Sequence, residues 1–152
     1  MSKRKSKRPS AGFNPIAKAV SGAAPLNKGD DGYTQALKIR AHAAALAFAN
    51  GTGTQSDAHI LAAAFNVTAL LVAEHGHGQE HRGLLPPWRD AVTNLYQRSD
   101  GRGGIGEMAA VSAGLELHDA LLDTVTLSEM TAVLGRLKAF MLAGLLMEVP
   151  RD

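Results

Sequence analysis

The chain has no cysteine, which excludes disulfides, thiolate metal sites and cysteine nucleophiles. Aromatic residues make up only 5% of it. The apolar share rests on alanine and leucine, residues that favour helices over sheets. No apolar run approaches the roughly 20 residues of a membrane span. The longest, Ala139 to Met147, holds nine residues and comes just after Arg136 and Lys138. A secretory signal is not expected, because the basic start leads into the mixed stretch Phe13–Leu26 and not into an apolar core. The first 29 residues lack any acid, as organelle transit peptides do, but Gly12, Pro15, Gly22 and Pro25 interrupt the amphipathic helix such a peptide needs.

What is present suffices for one domain. The chain has 152 residues, 45% of them hydrophobic, and a domain of that size buries roughly 68–70% of its unfolded surface without a metal or disulfide. The formal charge of +2 hides a division. Residues 1–30 hold Lys3, Arg4, Lys5, Lys7, Arg8, Lys18 and Lys28 against the single Asp30, a net +6. The other nine basic and thirteen acidic residues leave −4. A basic arm on a mildly acidic body directs polyanion contact to the arm.

Residues 1–29 therefore read as a disordered basic tail and linker, with one helical turn at most after Pro15, and residues 30–150 as a helical domain. A first helix follows Asp30 and Asp31, with Tyr33, Leu37, Ala41, Ala44, Ala45 and Phe48 at helical spacing, and stops at Asn50-Gly51. Thr54-Gln55-Ser56-Asp57 matches a capping box and opens a second helix to about His75. Residues 76–85 read as a loop, and Pro86-Pro87 opens a third helix carrying Trp88, Val92, Leu95 and Tyr96. A fourth spans Ile105 to Val125, with Met108, Val111, Leu115, His118, Leu122 and Val125 as its stripe. Thr126-Leu127-Ser128-Glu129 is a second capping box, starting a fifth helix to about Met147. The fifth is apolar on several sides, as a central or partner-covered helix is. The expectation is an all-α orthogonal or irregular bundle of about five helices, the last two forming a tight corner or antiparallel hairpin.

Four features invite chemistry. Glu74 to His81 holds three imidazoles and two carboxylates, ligand types of zinc, nickel or copper, which makes His75, His77 and His81 candidate metal ligands. No H-E-x-x-H or paired E-x-x-H signature accompanies them, so solvated histidines at a helix end are the competing reading. His118, inside an apolar stripe beside Glu116 and Asp119, reads as a core histidine anchoring a neighbouring element. Gly101 to Gly106 precedes a helix but lacks the lysine and strand of a phosphate loop, and reads as a flexible connection. Lys3, Arg4, Lys5, Lys7 and Arg8 are the candidate nucleic-acid contacts, because each cation set on a phosphate releases a counterion. A helix-turn-helix over residues 34–75 is disfavoured, since its second helix has no Lys or Arg. Ser56, Ser112 and Ser128 have no nucleophile-elbow context.

The stretch Leu115-Glu116-Leu117-His118-Asp119-Ala120-Leu121-Leu122-Asp123, the segment Thr126 to Met130, the basic start and Asn14-Pro15 resemble small helical proteins encoded by bacterial prophages and plasmids. The resemblance covers the start and residues 107–135. It implies a bacterial, cytoplasmic setting and carries over no activity or catalytic residue. The expected function is that of a non-enzymatic accessory or regulatory protein of a phage or mobile element. Its helical body would bind an unknown protein partner or form a homo-oligomer, while the tail contacts DNA or RNA. The alternative is a metal-binding protein using residues 74–81, with zinc or nickel as cofactor and an enzymatic role open to it.

Overall fold

The computed structural model describes residues 31–144 and 146–151; the tail residues Lys3, Arg4, Lys5, Lys7 and Arg8 lie outside the described residues. Within them the chain is all-α, with no strand. Helix α1 spans Asp31–Ala49, α2 Gln55–His75, α3 Leu85–Gln97, α4 Ile105–Leu122 and α5 Leu127–Ala143.

Both capping boxes form as their spacing requires. The Thr54 hydroxyl accepts from the Asp57 amide while the Asp57 carboxylate accepts from the Thr54 amide, and Thr126 and Glu129 do the same at the start of α5. Each such cap contributes about 1 kcal/mol to its helix. Pro86 and Pro87 sit in the first turn of α3, where a missing N–H costs nothing.

The central element is α2, and not the fifth helix. It packs against every other helix among the described residues, and each residue from Ala64 to Val72 is buried, so all sides of its second half are enclosed. By length and composition α2 matches a membrane span, yet most of its apolar stretch faces the other helices. Helix α1 lies on α2 and α4, α3 on the same two, and α5 crosses α2. The connection through Asp123–Thr126 is thus a corner and not an antiparallel hairpin.

Three boundaries differ from the sequence reading. Residues Gln79–Leu84 wind into a 3₁₀ helix instead of a loop. Helix α4 stops at Leu122 and α5 at Ala143, the latter capped by Gly144 in the left-handed conformation. Beyond Gly144 the periodicity no longer serves a helix. The Met147 amide donates to the buried Asn66 side chain of α2 at 2.8 Å instead. Arg89 Nε donates to the Met147 carbonyl at 3.0 Å, and both terminal nitrogens of Arg151 donate to the Asp90 carboxylate.

Candidate functional site

The histidines do not gather at one point. Four of them divide between two carboxylates that tie helices together. On α4, Asp119 takes the ring of His118 at 3.2 Å and that of His42 from α1 at 2.6 Å. Lys38 and Asp123 join the same helices at 2.5 Å. His118 is buried as expected, but its partner is the next residue on its own helix and not a neighbouring element. It lines a cleft of about 140 Å³ with Ile60, Ala64 and Leu134.

The second carboxylate is Glu129, which already caps α5. The His77 ring hydrogen-bonds to it, and His75 Nδ1 lies 3.9 Å from the same oxygen. His81 stands apart, with its ring nitrogen 3.6 Å from Glu80 on the exposed side. Among the described residues no three histidine or carboxylate side chains converge as a metal site requires. Of the candidate ligands, His75 and His77 are brought together and His81 is not. In this arrangement the loop clamps the start of α5 to the end of α2, a tie that Arg136 and Glu74 reinforce at 2.9 Å.

Both shared carboxylates titrate low. Burial pushes Asp119 up, but hydrogen bonds from His118 and His42 outweigh that and hold it below the ordinary carboxyl range. Glu129 follows the same pattern, with burial opposed by His77 and Thr126. A carboxyl whose folded pKa is depressed stabilises the fold above its unfolded value near 4, and that contribution disappears as pH falls through the folded value. Stability to urea should therefore hold down to about pH 5 and fall steeply below about pH 4. Replacing both residues, Asp119→Asn with Glu129→Gln, should flatten that acid limb. An unchanged limb would show that other groups cause it.

The glycine-rich run before α4 commits three successive amides to the protein itself. The Arg102 amide donates to Asp100, that of Gly103 to the Phe48 carbonyl and that of Gly104 to the Glu107 carboxylate. Glu107 also pairs with Arg98 at 2.6 Å.

Two apolar surfaces remain. One is a groove of about 610 Å³ between α3, the end of α5 and the C-terminal segment, floored by Val92, Tyr96, Phe140 and Met147. His59 stands edge-on to Tyr96 at its rim, with ring centroids 5.1 Å apart, and Leu142 projects beside it, 80% exposed. The other is the outer face of α1. Leu37, Ala41, Ala44, Ala45 and Phe48 turn inward as their spacing predicts, but Ile39 and Leu46 point away from the body, 65% and 60% exposed. The sequence reading already held the apolar residues of the third and fifth helices that line the groove, but it passed over the outer face of α1, where it sought one apolar face and the helix has two.

Compared with protein-family models, curated proteins and solved structures, the chain matches none.

Proposed function

We propose that the chain is a non-enzymatic accessory or regulatory protein that works by association, its helical body pairing with another copy and its basic arm holding nucleic acid. The phage or mobile-element setting rests on the sequence resemblance. One observation carries the reading. Helix α1 presents Ile39 and Leu46, largely exposed, on the side opposite its buried face. Single exposed aliphatics are ordinary, but two of them two helical turns apart make a stripe of the kind that marks an interaction surface. The −4 balance of residues 31–152 leaves polyanion contact to the arm.

Light scattering over a wide concentration range should give a mass that rises above the monomer, and a constant monomer mass refutes self-association. Deleting residues 1–12 should abolish retention on immobilised DNA at low salt. With Lys3, Arg4, Lys5, Lys7 and Arg8 on phosphates, log affinity of the full chain should fall with log salt at a slope of roughly −4 to −5. Retention that survives the deletion would place the nucleic-acid contact elsewhere.

A further inference from the structure

Ala36, Ile39, Ala43 and Leu46 are all exposed on α1 and follow one another at steps of three, four and three. That is the spacing of a two-helix seam. We infer that this face is where a second copy of the chain binds, antiparallel about a two-fold axis level with Ala41, so that the two basic arms leave from opposite ends of the paired helices. The inference rests on the self-association reading and adds to it the contact, the orientation and the consequence for nucleic acid.

The stripe complements itself in one orientation only. About an axis at Ala41, Ile39 meets the partner's Ala43, and Ala36 meets the partner's Leu46. Every large side chain then faces a small one, and the helices can approach closely without voids. A parallel pair in register would set alanine on alanine and isoleucine on isoleucine, alternating gaps with crowding. Charge favours the same choice. Residues 1–30 carry +6 and lead directly into α1. A parallel pair would place both arms side by side, whereas an antiparallel pair separates them and also opposes the helix dipoles.

Arg40 flanks the seam on one side and His42 on the other. The two-fold axis brings Arg40 near its own copy, a repulsion between exposed charges that salt screens. Dimerisation should therefore strengthen with added salt, while nucleic-acid binding weakens. Two helices paired along one face bury an area at the low end of specific interfaces, so the dimer depends on concentration.

Helix α1 has 19 residues, a length of about 28 Å. The arms thus depart from points separated by little less than the ~34 Å turn of duplex DNA. Once one arm is bound, the second meets the same duplex as an intramolecular event.

Because the chain has no cysteine, single cysteines introduced into the full chain report the geometry cleanly. Under mild oxidation, Ile39→Cys mixed with Ala43→Cys should give a mixed disulfide dimer, as should Ala36→Cys mixed with Leu46→Cys. Leu46→Cys alone should stay unlinked. Efficient self-linking of Leu46→Cys overturns the antiparallel arrangement while leaving self-association intact. A chain that stays monomeric by sedimentation and forms none of these links overturns both. The charge-neutral pair Ile39→Gln and Leu46→Gln, folded by circular dichroism, should sediment as a monomer and bind a duplex spanning both arms at least about tenfold more weakly. An unchanged mass in that variant removes α1 as the contact, and an unchanged affinity removes the two-armed grip.

Discussion

Trp88→Ala should lower the free energy of unfolding by about 3–5 kcal/mol, the largest loss expected from truncating one side chain here. Trp88 is fully buried on α3 and stands edge-on to Phe65 of the central helix, with ring centroids 5.3 Å apart. Its indole lies directly on the backbone of α4. A Cβ placed on Gly114 would sit 2.2 Å from the ring. The indole N–H has no hydrogen-bond partner among the described residues, so Trp88→Phe, which deletes that unsatisfied donor, should cost much less.

The contact has a reciprocal signature. Alanine exceeds glycine by about 1 kcal/mol in a helix interior, yet Gly114→Ala should destabilise by about 1–3 kcal/mol because the ring cannot retreat from a packed core. In the Trp88→Ala background the same change should become stabilising. Urea denaturation of the four proteins measures this coupling, and equal effects of Gly114→Ala in both backgrounds would refute the close approach.

The helix starts were legible in the sequence because their causes are local. Thr54 with Asp57, and Thr126 with Glu129, need only a side chain and an amide three residues apart. The inward stripe of α4 was equally plain, since Val111, Leu115, His118 and Leu122 follow one period and are all buried. Local pattern does not contain the partners drawn from far along the chain. The apolar spacing carries α5 to Met147, but the Met147 amide is taken by Asn66, 81 residues away. Asn66 could have been flagged as a polar residue in the apolar run Ala62 to Leu71, because a buried amide side chain has to find a partner. For the histidine-rich loop, composition left convergence on a metal and separate histidines at a helix end both open, and the fold shares His75 and His77 with a helix cap while leaving His81 outside. For the fifth helix the partner-covered and the central alternatives were both open, and only the central one fails. Hydropathy alone does not say which apolar helix is enclosed, and α2, with neighbours on every side, leaves Leu142 of α5 uncovered.

Gly101→Ala should destabilise by about 2–4 kcal/mol, although the sequence places it in what reads as a flexible connection. Gly101 adopts φ +68°, and a Cβ there would lie 2.5 Å from the Gly53 carbonyl oxygen. The left-handed backbone alone costs an alanine roughly 1–2 kcal/mol. The remainder comes from a clash with main chain, which has no rotamer by which to escape. The neighbours are also committed. The Gly53 amide donates to the Gly101 carbonyl at 2.9 Å, and the Gly103 amide to the Phe48 carbonyl at 3.0 Å. The α1–α2 and α3–α4 connections therefore lock to each other, and separating them loosens the end of α1 and the start of α2. Gly106, five residues on, has open space where a Cβ would go and already lies in α4. Gly106→Ala should stabilise by up to about 1 kcal/mol. Thermal unfolding of the two variants should thus shift in opposite directions. Equal small shifts would mean that the run is the slack linker its composition suggests and that the paired loops bear no part of the fold's stability.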